Sequence, residues 1–238
     1  MAQKPEKHAT RVPTVLIGIG GIGGQIVRLV DNELKNCDKK FVRMLVLDTN
    51  TNDLSKLDKT NIPYVQTSEN MTVSDYLRRN KRFEDWFPYN PLLNGKNLIE
   101  GAGQVRSVSR LGALASEAAG RFEKIKDAIT EVSRNVGSTI HKTVRVMIVG
   151  SVCGGTGSGR GIQLPFLVRD MIDEISNMPN AIVRGLFIMP DIVEEVQDTD
   201  QKRRSVYVNG FAFLRELNAF NKAQTFQRGT ERLRIEHY

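Results

Sequence analysis

Two glycine-rich stretches hold the residues best suited to chemistry. "GIGGIGG" (Gly18–Gly24) follows the apolar run "TVLI", and "GGTGSG" (Gly154–Gly159) follows "VRVMIVGSVC". Each lies between a β-branched apolar run and a helical pattern. Gly18, Gly20 and Gly23 satisfy G-x-G-x-x-G. Glycine lets a backbone turn tightly and approach a phosphate closely, and a helix starting there offers unpaired N–H donors at the positive end of its dipole. In the second stretch, successive N–H groups suit an anion nest, to which Thr156 and Ser158 add hydroxyl donors. The competing explanation is a glycine turn that lets strand and helix pack closely. Two such loops on one sheet favour phosphate, because they can converge on one polyphosphate, whereas a nicotinamide-binding fold needs only the first. Arg160, not lysine, follows the last glycine, so the G-K-[ST] of a P-loop is absent.

The elements that must position these loops alternate along the chain. Strands are expected at Thr14–Gly20, Phe41–Asn50, Ile62–Ser68, through "TVRVMIVGS", and at Ala181–Pro190. Helices are expected through "GQIVRLVDNELKN", from Ser109 to Gly137, through "GIQLPFLVRDMIDEIS" with Pro165 near its first turn, and through "VYVNGFAFLRELNAFNKA". A basic helix is placed around Tyr76–Phe87, and "DIVEEVQDTDQKRRS" reads as a charged loop. The pattern predicts an α/β fold, a Rossmann-like, mainly parallel sheet with helices on both faces. Ligands of such sheets collect at the carboxyl ends of the strands. Residues 1–13 read as a polar leader, and residues 14–238 as one nucleotide-binding domain. "RLRIEHY" reads as a strand opening.

Composition narrows the classes. The chain has 238 residues, 40% apolar and 26% charged, in the ordinary globular range. Its formal charge of +7 suits a phosphate-bearing ligand or simply a basic surface. "RRNKR" and "KRR" lack interleaved aromatics, so no nucleic-acid groove is expected. Cys37 and Cys153 have no metal-ligand spacing and fit a reducing compartment. No apolar run reaches the length of a membrane span, and the expected location is the cytoplasm.

In this setting "GGTGSG" resembles the signature loop of the tubulin and FtsZ superfamily, usually GGGTG[ST]G. Further landmarks occur in order. "GIGGIGGQIV" resembles the first phosphate loop of that family, and "LDTNTNDL" the end of its second strand. "GAGQVRSVSRLGA" (Gly101–Ala113) resembles its third loop, and "DIVEEVQDTD" with "VNGFAFLREL" the ribose-side loop and following helix. The resemblance covers nearly the whole chain and is nearest to the divergent bacterial tubulin-like proteins.

It implies a site for GTP or GDP, with Mg²⁺ nearby. Gly20, Gly21, Gly24 and Gln25 would lie at the α/β-phosphates and guanine side. Gly101, Ala102 and Gly103 would approach the γ-phosphate. Gly154, Gly155, Thr156, Gly157 and Ser158 would hold the phosphates, and Asp198 would lie near the ribose. Asp48 and Asn50 stand in swapped order against the N-T-D of FtsZ. Arg110 matches the family arginine and equally suits a surface helix. Cys153 replaces the first glycine of the usual triplet, and Ser107 replaces a glutamate.

In this family the acid that completes hydrolysis comes in trans, from a loop after a long central helix. Neither element is visible in this sequence, so no catalytic residue is assigned. GTPase activity is expected only of a longer, assembled protein forming a head-to-tail homopolymer. The alternatives are an NAD(P)-dependent oxidoreductase using "GIGGIG" and Asp48, an adenylating enzyme, and a structural protein that has lost its nucleotide.

Overall fold

A computed structural model describes residues 12–88, 90–134, 143–175, 180–195, 197–220, 225–228 and 231–234. The expected leader falls almost wholly outside these residues, as do Gly137 and the end of "RLRIEHY". The apolar runs form five parallel strands: β1 (Thr14–Ile19), β2 (Val42–Asp48), β3 (Tyr64–Gln66), β4 (Thr143–Ser151) and β5 (Asn180–Ile188). Their order across the sheet is β3-β2-β1-β4-β5. Ile17 of the central strand lies opposite Leu45 on one side and Ile148 on the other.

Side-chain alternation sends successive residues to opposite faces, and helices cover both. Ile17, Ile19, Leu45, Leu47, Val146 and Ile148 share a core with Ile125 and Ile129 of α7 (Glu123–Ser133) and Leu164 and Val168 of α9 (Gln163–Asp173). The alternate positions Leu16, Met44, Val46 and Val149 pack with Val27 of α1 (Gly20–Glu33) and Leu54 of α3 (Thr51–Ser55). Each fully buried Ile or Leu here contributes on the order of 2 kcal/mol. These helices therefore clamp the sheet from two sides and hold the carboxyl ends of its strands in place.

Between α3 and α6 (Arg106–Ala118) lie the short helices α4 (Val73–Arg79) and α5 (Pro91–Asn94). They build a smaller core in which Tyr76 stacks on Phe83 while Phe83–Trp86 and Trp86–Phe87 meet edge-on, beside Leu98 and Leu111. Tyr76, Phe83 and Phe87 are buried packing residues, and Trp86 is half-buried at the edge of this core. The expected helix around Tyr76–Phe87 is shorter, ending at Asn80, whose side chain donates to the Tyr76 carbonyl.

Three other expectations are corrected. The helix expected over 109–137 is two helices, α6 and α7. Gly120 breaks them at φ 69°, and Arg121 N–H closes the end on the Ser116 carbonyl. Phe122 then drops into the core at 3% exposure, so the bend aims α7 along the sheet. "GGTGSG" is not an extended loop: its glycines enter α8 (Gly155–Arg160) directly. The charged "loop" contains α10 (Pro190–Glu194) and the start of α11 (Asp200–Phe220). Pro190 sits at the first helical position, where its missing N–H costs nothing. A hairpin, β6 (Thr225–Arg228) and β7 (Glu231–Arg234), is antiparallel and separate from the main sheet.

Beyond its chain neighbours, no atom of the described residues comes within 4 Å of a Cβ built on Gly120, so Gly120→Ala tests backbone strain. It should lower unfolding free energy by about 1–2 kcal/mol, measured in urea, because only the left-handed conformation is penalised.

Candidate nucleotide site

The chain switches direction between β1 and β4, and a cleft of about 300 Å³ opens there above the strand ends. Its lining comes from four segments far apart in sequence: Ile19–Ile22, Asp48–Asn50 with Asp53, Glu100–Gln104, and Ser151 with Gly154–Gly157. The N-termini of α1 and α8 both open into it. Neither has a side-chain cap or an acidic residue in its first turn. First-turn N–H groups left without a cap need an acceptor, and an anion in the cleft supplies one.

A buried hydrogen-bond cluster holds the segments together. Asp48 Oδ1 accepts from Thr49 N–H at 2.7 Å, Asn50 N–H at 3.2 Å and Thr156 Oγ1 at 3.1 Å. The hydroxyls of Thr49 and Thr156 lie 2.9 Å apart, and Thr49 Oγ1 also accepts from Ala102 N–H at 3.1 Å. The end of β2, the 101–103 loop and α8 are thereby tied at one point. The other oxygen of Asp48, Oδ2, has no hydrogen bond among the described residues.

The glycines divide into two roles. A Cβ on Gly18 would lie 2.5 Å from the Gly23 carbonyl, and one on Gly23 would lie 2.6 Å from the Val149 carbonyl. These two let α1 press against the sheet. Gly154 is different: its φ of −86° suits any residue, and beyond its chain neighbours no atom of the described residues lies within 4 Å of a Cβ built there. Neither packing nor backbone shape requires glycine at 154, whereas a ligand lying against the loop would.

A family model described as "Tubulin like" matches residues 15–236. The chain belongs to the tubulin-like family. No curated protein matches the sequence. Among solved structures, it is similar to TubZ of Bacillus thuringiensis serovar israelensis, solved as a GTPγS-form protofilament. That match has 17% identity and a TM-score of 0.50, covering 90% of this chain and 43% of that one. TubZ of the Clostridium botulinum phage c-st matches at 15% identity and TM-score 0.40, covering 87% and 48%. The FtsZ dimer of M. jannaschii matches at 16% and 0.40, covering 90% and 55%. This chain therefore spans about half the length of these relatives in fold.

Within the tubulin-like domain, Gly20, Gly21, Asp48, Asn50, Gly101, Ala102, Gly103, Gly154, Gly155, Thr156 and Gly157 line one cleft. Gly24 and Gln25 line a smaller pocket of about 50 Å³ between α1 and α3. Ser158 is 1% exposed and turned away, donating to the Asn209 carbonyl. Arg110 lines a neighbouring cavity, and Asp198 is exposed and ion-paired with Lys202. Thr49, Asp53, Glu100 and Gln104 also line the cleft, though sequence reasoning did not single them out. Thr49 stands between Asp48 and Asn50, so the resemblance at "LDTN" was the signal for it.

Three carboxylates line the cleft, Asp48, Asp53 and Glu100, and at its margin Lys96 Nζ lies against Gly103. Asp53 is bonded by Asn50 Nδ2 at 3.0 Å and Lys56 Nζ at 2.6 Å. Burial raises the Asp48 pKa above its ordinary 3.8, against the opposing effect of its hydrogen bonds. Arg160, on α8 one turn beyond Thr156, is 3% exposed, with Nε and Nη1 buried and unbonded. Its guanidinium packs on Phe122, 4.7 Å from the ring centroid. Burial lowers its pKa to about 9, while Glu117 and Asp48 hold it up, so it remains charged at neutral pH. Cys153 is buried, and burial pushes its thiol pKa up, which marks it as inert.

A carboxyl whose pKa is raised on folding gives stability that is full below its unfolded pKa and is lost as pH rises through the folded value. In the ligand-free protein the Asp48 contribution to stability should therefore fall as pH rises from about 4. Asp48→Asn should flatten this part of the profile, read from Tm against pH. Thr156→Val, nearly isosteric, should cost about 1–3 kcal/mol by leaving Asp48 and Thr49 under-bonded.

Proposed function

We propose that this tubulin-like domain binds GTP and GDP in the cleft between β1 and β4. The observation that carries the reading is Gly154, a glycine with no protein reason to be one, beside two uncapped helix N-termini. Phosphates would take N–H donors from Gly20 and Gly21 on one side and from Gly154–Gly157 on the other. Gly101–Gly103 would face the terminal phosphate. No three His, Cys, Asp or Glu side chains form a metal-binding group among the described residues. Magnesium needs no such group, since it uses one or two carboxylates, phosphate oxygens and water. Asp48 fits that role through Oδ2, and Mg²⁺ would neutralise charge between the cleft carboxylates and the phosphates.

As a module of a longer protein, the domain would sit in a head-to-tail homopolymer with nucleotide at the junction. A heterologous contact of that kind extends into a filament. Hydrolysis would then need an acid from the adjoining subunit, and this chain alone would bind without turnover. Among the described residues no helix is long and apolar enough to cross a membrane. A cytoplasmic filament system is the setting we infer.

Gly154→Ala separates binding from folding. The added methyl meets no protein atom, so Tm should stay within about 1 °C. GTP affinity by calorimetry should fall at least about tenfold. Binding of NADH in preference to GTP, or an unchanged GTP affinity in the variant, would overturn the assignment.

A further inference from the structure

A second cavity, of about 810 Å³, lies beside the nucleotide cleft between α6 and α11. Trp86, Arg106, Arg110, Arg204, Asn209 and Glu216 are among its walls. Three arginines there face two carboxylates, Glu216 and Asp200. Glu216 is taken up by Arg106, at 2.9 Å from Nη1 and 2.6 Å from Nη2, and Asp200 lies 3.6 Å from Arg203. Arg204 is exposed and has no ion pair among the described residues. Arg110 lies over Trp86 with its guanidinium 5.1 Å from the ring centroid. Burial lowers the Arg110 pKa, the like charge of Arg106 adds to this, and Glu216 opposes it. An added anion would offset the like charge of Arg106.

The volume suits a small organic ligand. Arginine forks match carboxylate and phosphate oxygens, and Trp86, Val105 and Val208 offer apolar wall beside them. We propose that this cavity is an effector site for an organic anion, an apolar or aromatic body bearing a phosphate or carboxylate, and that its occupancy changes nucleotide affinity.

The second half of this proposal rests on the nucleotide reading; the first does not. Arg106 is the link. Its Nε donates to Ser158 Oγ at 2.7 Å and its Nη2 to the Ser158 carbonyl at 3.1 Å. Ser158 belongs to the helix that opens the nucleotide cleft. Gln104, at φ 63°, lines both cavities, and Asn209 Nδ2 donates to the carbonyls of Gln104 and Cys153, each at 2.9 Å. An anion that competes with Glu216 for Arg106 therefore disturbs the support of the signature helix. Coupling of this kind is reciprocal.

Trp86 is the only tryptophan in the chain, so intrinsic fluorescence reports on this cavity. Nucleotide-free protein is titrated with phenyl phosphate and, separately, benzoate. A saturable change in emission is expected with at least one, and the tighter probe identifies the anion class. Arg204→Ala, at an exposed position, should weaken binding about tenfold. Ala212→Phe, which fills the cavity, should abolish it, with circular dichroism confirming the fold. No saturation by about 10 mM, or equal binding in both variants, overturns the site. A saturating probe should shift GTP affinity by about threefold or more. No shift overturns the coupling, and displacement of GTP without limit shows that the two cavities are not distinct. If GTP does not bind at all, the nucleotide reading fails while the Trp86 titration still stands.

Discussion

Everything at the top of the sheet depends on how the carboxylate of Asp48 is used. One oxygen accepts two backbone N–H groups of its own turn and the hydroxyl of Thr156, more than a hundred residues away. Thr49 carries the connection on to the backbone of Ala102. Hydrogen bonds to a charged group are worth about 1.5–3 kcal/mol each, and breaking one in a buried cluster also leaves its partner unsatisfied. This junction is therefore where three separate loops become one site. Its cost is also visible, since burial disfavours the charge on which the bonds rely. The protein keeps a carboxylate at low exposure where a cation from outside can complete its environment.

The cleft would receive an anion chiefly on backbone donors, with Lys96 Nζ beside Gly103 at its margin. Its positive side is made by the first-turn N–H groups of α1 and α8 and by the buried guanidinium of Arg160 at the end of α8. Backbone donors are fixed in place by helix geometry and lose little freedom when a ligand arrives. Three cleft carboxylates act in the opposite direction.

Much of the architecture was legible in the chain. Parallel strands were readable from β-branched apolar runs, and the glycine stretches placed after two of them do line one cleft. The long helix was misread because periodicity continues through Ala118 and resumes at Glu123. Only the left-handed backbone of Gly120 interrupts it, and a glycine among alanines gives no clear stop. The signature glycines were read as a loop because low helix propensity was allowed to outweigh context. In the fold, α8 is held by contacts with α6 and the sheet, and close approaches such as Gly157 against the Ser151 carbonyl leave no room for a larger residue.

The sequence by itself determined the class of sheet, the order of the phosphate loops and the family, because these rest on local patterns: period, turn residues and short motifs. Only the tertiary structure decided which glycines face the open cleft and which face protein backbone. Gly23 and Gly154 look equivalent in the chain, yet one meets a carbonyl and the other open space. Likewise Arg110, grouped with the phosphate loops by motif, belongs to the neighbouring cavity with Trp86. Spacing along a chain specifies which residues are near in sequence. The direction in which each points is set by the long-range packing of α6, α8 and α11.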